Sequence, residues 1–259
     1  MTALSASASS VSESLLPLAG DELHLWLGAA TTGSEPFVRQ VLSRYVAMPP
    51  AQWRFSRTGH GKPALVNAPR PLAFNVSDSR HWRVCAVTAG GAIGVDLEYC
   101  DPRRDALRLA RRYFRVREVS ALLACAEHQR NRHFYAFWTL KEACIKSRGA
   151  TLGAGLEHTG FRLQFPLSGA PGGAGGIGTI TRDPATCERA HYCLLQPLPG
   201  YQLATCWLRT DLRRPRLRLL QLLSDDTWGE LTPTVRAVSG KLANNAPDGS
   251  AAHSRALSC

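Results

Sequence analysis

Between residues 53 and 208 the hydrophobic period of this chain changes twice, and that change limits the possible folds more than any single motif. The segments WRFSRTGHGKPAL (53–65), LAFNVSDS (72–79) and HWRVCAVTAGGAIGVDLEYC (81–100) read as strands. Gly59 and Gly61, and then the Gly90-Gly91 pair, supply the turns between them. From Pro102 the period becomes helical, in RRDALRLARRYF, then REVSALLACA, then HFYAFWTLKEACIKSRG, which ends at Gly149. FRLQF (161–165), AHYCLLQPL (190–198) and YQLATCWL (201–208) return to strands. Upstream, ELHLWL (22–27) reads as a strand. FVRQVLSRYVAM (37–48) reads as a helix with Val38, Val41, Leu42 and Tyr45 on one face, stopped by Pro49-Pro50. The order is strand, helix, strands, then strand, helices, strands. It predicts an α+β fold of two similar-sized halves meeting near Gly94. The expected division is a disordered tail over 1–21 rich in Ala and Ser, a first half over 22–92 and a second half over 93–208. The stretch 209–259 is expected to be basic, then a short helix, then disorder.

With 259 residues, 44% of them hydrophobic, the chain is long enough to bury a real core. Its formal charge of +11 favours acidic or phosphate-bearing partners without choosing among them. The eight cysteines form no C-x-x-C pair, and several sit in apolar runs such as RVCAV and LATCWL. They read as reduced thiols rather than a disulfide framework or a zinc site. The start MTALSASASSVSESLLPL lacks a basic opening and a long apolar run, and no segment reaches the length of a membrane span. The expectation is a soluble cytoplasmic monomer. The Gly-rich SGAPGGAGGIG (168–178) lacks the G-K-[ST] ending of a phosphate loop and is expected at a hairpin tip.

Two places concentrate charge that could do chemistry. In IGVDLEY, period two sends Ile93, Val95, Leu97 and Tyr99 one way and Asp96 and Glu98 the other. Two carboxylates side by side repel unless a cation lies between them, and an all-oxygen set suits Mg²⁺ or Mn²⁺. The plainer alternative is a half-exposed strand with solvated charges. In FWTLKEACIKSRG, Glu142 precedes Lys146 by four residues, the spacing of an ordinary surface pair. Phe137, Trp138, Leu140 and Ile145 argue instead that this helix is not wholly solvated. Glu142 reaching the Asp96/Glu98 face would complete a three-carboxylate site with Lys146 one turn on. Lys62 follows a glycine turn and suits either a phosphate or solvent. The polar residues Asn75, Ser77, Asp78 and Ser79 end a strand, where turn formers are common. Seven arginines between 103 and 117, including Arg108, Arg111, Arg112 and Arg115, make either a solvated basic face or a dock for an acidic partner.

Together GKP (61–63), FNVSDS (74–79), IGVDLE (93–98), ARRYF with the later Glu118 (110–118) and FWTLKEACIKSRGATL (137–152) resemble the pseudo-dimeric, Sfp-type 4′-phosphopantetheinyl transferases. The resemblance covers about residues 22–208. It implies two α+β halves about a pseudo-twofold axis with coenzyme A in the cleft between them. It also implies transfer of the phosphopantetheine arm to a serine of an acyl, peptidyl or aryl carrier protein, with release of adenosine 3′,5′-bisphosphate. By the same resemblance Asp96, Glu98 and Glu142 match the magnesium ligands, and Glu142 also matches the base for the carrier serine. Lys146 matches a phosphate contact and acid for the leaving group, and Lys62 and Ser77 match contacts to coenzyme A. The basic face around Arg108–Arg115 then has an acidic carrier protein as its natural partner.

Two departures stand out. Asp78 occupies the position where the family usually has a histidine for the 3′-phosphate. Only GAATTGSEP separates the first strand from the first helix, where the family usually has several tens more residues. Arg39 and Arg44 remain on that helix as partial compensation. These departures motivate a second reading, a family member that binds coenzyme A or a carrier protein without catalysis. A nucleic-acid-binding role is suggested by charge alone. It lacks a zinc or recognition-helix motif and interleaved aromatics, so none is expected.

Overall fold

The computed structural model describes residues 15–31, 33–57, 62–150, 155–165, 178–183, 189–209, 215–223, 227–239 and the backbone of 257–258. The turn glycines Gly59 and Gly61, most of the Gly-rich stretch, residues 1–14 and most of 240–259 lie outside them.

The fold is α+β, as the change of period predicts. Two mixed sheets form its centre. The first contains β1 (Glu22–Ala29), β4 (Ala73–Ser79), β5 (Trp82–Thr88), β11 (Arg216–Leu222) and β12 (Trp228–Leu231), in the order β12-β11-β1-β5-β4. The second contains β6 (Ala92–Tyr99), β7 (Gly160–Gln164), β8 (Gly178–Asp183), β9 (Ala190–Gln196), β10 (Tyr201–Leu208) and β13 (Thr234–Ser239), in the order β6-β10-β9-β13-β8-β7. A small hairpin, β2 (Phe55–Arg57) and β3 (Pro63–Leu65), stands apart.

The sheets meet face to face because their strands alternate. Leu23, Leu25 and Leu27 of β1 pack with Ile93, Val95 and Leu97 of β6, Leu203 and Trp207 of β10, and Leu217 and Leu219 of β11. The outer face of the first sheet is covered by α1 (Ser34–Ser43), whose Phe37, Val38, Val41 and Leu42 join Trp26, Trp53 and Phe74. The outer face of the second sheet is covered by α2 (Ala106–Tyr113), α3 (Val116–Ala124) and α4 (Glu127–Ser147). Asp105 caps α2 by accepting from Arg108 N, and Gly149 at φ +66° ends the chain's run along α4. From Phe134 to Ser147 nearly every side chain of α4 is buried, so this segment has no solvent face to fill with charge.

Where the two sheets adjoin, β4 and β6 are not paired backbone to backbone. Side chains of β4 take the place of strand carbonyls. Asn75 Oδ1 accepts from Val95 N (2.8 Å), Ser77 Oγ from Leu97 N (3.2 Å) and Ser79 Oγ from Tyr99 N (3.0 Å). The polar end of β4 is therefore an inter-sheet ladder with period two, not a turn.

Three expectations are corrected. The stretch expected to be a basic tail holds three strands, β11, β12 and β13, which complete both sheets: β11 pairs parallel with β1, and β13 sits between β9 and β8. The apolar alternation of RLRLLQL carries that pairing, although its arginines read as a basic tail. Residues 15–21 are not disordered: Leu16 and Leu18 are buried under α1, and Leu16 N donates to Arg44 O (2.6 Å). Helix α1 runs from Ser34 to Ser43 rather than 37–48. Pro36 is tolerated in its first turn, and Arg44 and Tyr45 close it with bonds to Val41 O and Leu42 O.

Candidate active site

Gly94 decides how close α4 comes to β6. A Cβ there would stand 2.0 Å from Ala143 O and 2.5 Å from Ser147 N. The bare glycine lets the helix backbone rest on the strand. Two and four residues on, with the same strand parity, Asp96 and Glu98 face the helix turn that carries Glu142. Carboxylate oxygens of Asp96, Glu98 and Glu142 all lie within 4.8 Å of one another. Asp96 is 2% and Glu142 7% exposed, and Glu98 is half-buried.

Three carboxylates at that separation are short of positive charge. Lys146 supplies some: its ammonium donates to Asp96 Oδ1 (2.7 Å) and Ser77 Oγ (3.0 Å) and stands 3.8 Å from Glu142 Oε2. The balance remains unfavourable. Burial and then the charge of Asp96 push Glu142 up to about 8, and the same two causes raise Glu98. Asp96 Oδ2 is buried without a hydrogen-bond partner. An oxygen-only cluster with a stranded carboxylate oxygen fits a hard divalent cation such as Mg²⁺, for which Asp96, Glu98 and Glu142 would be the ligands. Burial opposes the charge of Lys146, but Asp96 and Glu142 outweigh it and raise its pKa, so it stays an ammonium.

The structure thus brings together Asp96, Glu98, Glu142, Lys146 and Ser77. The remaining candidates have other engagements. Lys62 Nζ donates to Ile93 O (3.1 Å), Lys146 O (2.8 Å) and Ser147 O (3.5 Å), which clamps the last turn of α4 to the start of β6. Arg39 pairs with Glu35, donates to the carbonyls of Pro50 and Trp53, and lies over the Phe55 ring. Asp78 accepts two 2.7 Å bonds from Arg83, whose guanidinium also reaches Gly33 O, so this anion carries its own counter-charge. On the basic segment, Arg108, Arg111 and Arg112 are exposed on α2, while Arg115 donates to Glu157 O and His158 O.

One residue beside the site was not singled out from sequence. Lys141, fully buried, pairs with Glu118 (2.7 Å) and donates to Leu156 O and Thr159 O. Glu118 in turn accepts from Arg115 N and Phe161 N, so the pair ties α3, α4 and β7 together. The available signal was a lysine inside the apolar run Phe137, Leu140, Cys144, Ile145, where a solvated cation has no place.

Comparison with known proteins points the same way. The family described as the 4′-phosphopantetheinyl transferase superfamily matches residues 92–206, a span that opens at β6 and includes all three carboxylates and Lys146. The 4′-phosphopantetheinyl transferase HetI of Nostoc sp. strain PCC 7120 is 37% identical over 120 residues, covering 46% of this chain and 51% of HetI. The 4′-phosphopantetheinyl transferase Sfp of Bacillus subtilis strain 168 is 36% identical over 175 residues, covering 67% of this chain and 71% of Sfp. The 4′-phosphopantetheinyl transferase ffp of Bacillus subtilis is 32% identical over 177 residues, with the same coverage. The likeness to Sfp and ffp extends past the site over two thirds of the molecule, and on that ground the chain belongs to the 4′-phosphopantetheinyl transferase superfamily.

Proposed function

We propose that this protein is a transferase that moves the 4′-phosphopantetheine arm of coenzyme A onto a serine of a carrier protein, in a Mg²⁺-dependent reaction that releases adenosine 3′,5′-bisphosphate. The observation that carries this reading is the convergence of Asp96, Glu98 and Glu142 beside the ammonium of Lys146. Mn²⁺ has the same ligand preference and would serve in place of Mg²⁺.

In the step, the serine oxygen bonds to the phosphorus that carries pantetheine. The bond from that phosphorus to the bridging oxygen breaks, and the bridging oxygen leaves with the adenosine bisphosphate. The serine proton would go to a carboxylate oxygen of Glu142, which faces Asp96, Glu98 and Lys146 in the cluster. Mg²⁺, which Asp96, Glu98 and Glu142 would hold, would supply neutralisation of the charge that develops on the pyrophosphate oxygens. Lys146, held by Asp96 and Ser77, would offer its ammonium to a phosphate oxygen. Its raised pKa suits a cation that stays charged against the leaving phosphate better than an acid that gives up its proton. Ser77 orients both Asp96 and Lys146 through one hydroxyl.

The acidic carrier protein would dock near Arg108, Arg111 and Arg112; Arg115 is withdrawn from that face by its bonds to the loop after α4. A cytoplasmic setting agrees with six free cysteines among the described residues and with no described helix long and apolar enough to cross a membrane. Lys62 and Arg39 spend donors on backbone carbonyls, which counts against either as a ready contact for coenzyme A and leaves the chemistry at Glu142 and Lys146 untouched.

The test is intact-protein mass spectrometry of an apo acyl carrier protein incubated with this protein, coenzyme A and Mg²⁺. The expected result is a phosphopantetheine mass gain that EDTA abolishes. A folded protein that binds coenzyme A yet modifies none of several acyl and peptidyl carriers would leave the binding-only reading in its place.

A further inference from the structure

We infer that Ser79 is a positioning residue for Glu98, and through it for the divalent cation of the site. This rests on the metal reading above. The observation behind it is the side-chain ladder between β4 and β6, whose three rungs do unequal work.

Asn75, Ser77 and Ser79 point the same way from β4 because they are two residues apart. Each accepts one N–H from the free edge of β6, from Val95, Leu97 and Tyr99 in turn. The other edge of β6 is paired with β10, so the ladder fixes the strand from both sides. Asn75 makes only the backbone contact among the bonds found between β4 and β6. Ser77 also donates to Asp96 Oδ1 (2.9 Å). Ser79 also donates to Glu98 Oε2 (3.2 Å).

The direction of the Ser79 bonds is forced. A hydroxyl has one proton and two lone pairs. The Tyr99 N–H can only donate, so it takes a lone pair, and an ionised Glu98 can only accept, so it takes the proton. Ser79 therefore couples the Glu98 carboxylate to the backbone of the residue after it. That restraint matters for Glu98 more than for Asp96. Glu98 has a longer side chain and is less buried than Asp96, so more of its rotamers are open to it. Without the Ser79 hydroxyl, nothing else found bonded to the Glu98 carboxylate holds it toward Asp96 and Glu142.

Hydrogen-bond partners of metal-ligating carboxylates typically change metal affinity by about 10–100-fold when removed. The experiment measures Mn²⁺ affinity of the full chain by water-proton relaxation, with a thermal melt of every variant. Ser79→Ala is expected to weaken Mn²⁺ binding about tenfold or more, and Ser79→Thr, which keeps the hydroxyl, to restore most of it. Asn75→Ala, which removes a rung that touches no carboxylate, is expected to lower the melting temperature and leave Mn²⁺ affinity unchanged. If alanine at 79 impairs folding, Ser79→Cys, close in shape but a weak donor, should show the same loss of affinity. Should Ser79→Ala bind Mn²⁺ as tightly as the wild type while Glu98→Gln does not, the metal site stands and the role given to Ser79 is wrong. Should Glu98→Gln also leave Mn²⁺ binding intact, the metal reading fails first and this inference falls with it.

Discussion

Helix α4 carries two lysine–carboxylate pairs on different faces, and they are built in opposite ways. At the back, Lys141 and Glu118 are a closed account: one cation, one anion, and every remaining donor or acceptor directed to a backbone group of α3, β7 or the loop between α4 and β7. At the front, Lys146 faces three carboxylates, one of whose oxygens has no partner. Both pairs sit in largely dry surroundings, so burial alone does not separate the proposed site from the structural pair. What marks it is the surplus of negative charge, which the fold holds in place against its own repulsion and a cation would relieve.

That difference can be broken in four ways. The largest effect is expected from Glu142→Gln. Transfer should fall by about 10³-fold or more, equivalent to at least ~4 kcal/mol of transition-state stabilisation, while the metal-free melting temperature holds or rises because one repulsive charge is gone. Carrier-modification rates and a melt in EDTA check both halves of that statement. Next, Lys141→Met should destabilise the fold by about 3–5 kcal/mol by stranding Glu118. Adding Glu118→Leu to it should recover much of the loss, read by urea denaturation. The front and back of one helix should thus respond with opposite sign to loss of a charge.

Gly94→Ala acts on both faces by pushing the helix off the strand. Overpacking of this kind costs about 1–3 kcal/mol, and transfer should fall more than stability does, because Glu142 and Lys146 move away from Asp96. The same surplus of charge makes stability depend on pH. The folded pKa of Glu142 lies above its ordinary value, so between about pH 4.5 and 8 the folded protein holds more protons than the unfolded one. Metal-free stability should therefore fall as pH rises through that window. The melting temperature measured in EDTA should fall steadily between about pH 4.5 and 8, the two values that bracket the titration. Glu142→Gln should flatten the slope.

The front face was legible in sequence because its chemistry follows strand and helix periods. The alternation in IGVDLEY places Asp96 and Glu98 on one face, and the spacing of Glu142 and Lys146 places them one turn apart. Their meeting depends on a contact distant in sequence, and Gly94 is its only local sign. The back face was less legible because a lysine buried beside a glutamate 23 positions earlier leaves no periodic trace. In FNVSDS the same alternation was present, but polar residues at a strand end read as a turn unless a second strand edge is known to lie beside them. Strand β11 was hidden by Arg216 and Arg218, whose neighbours Leu217, Leu219 and Leu220 are the buried part. Lys62 and Arg39 had the residue types expected of phosphate contacts, and sequence gives no warning that backbone carbonyls occupy them.

The most direct measurement is anomalous scattering from crystals of the full chain grown with coenzyme A and Mn²⁺. The account predicts one strong peak among the carboxylates of Asp96, Glu98 and Glu142, touching the pyrophosphate, with Lys146 on the same phosphates and the Lys141–Glu118 pair metal-free. Coenzyme A bound with no metal among those three carboxylates, or a metal held elsewhere while Lys146 alone meets the pyrophosphate, would contradict it.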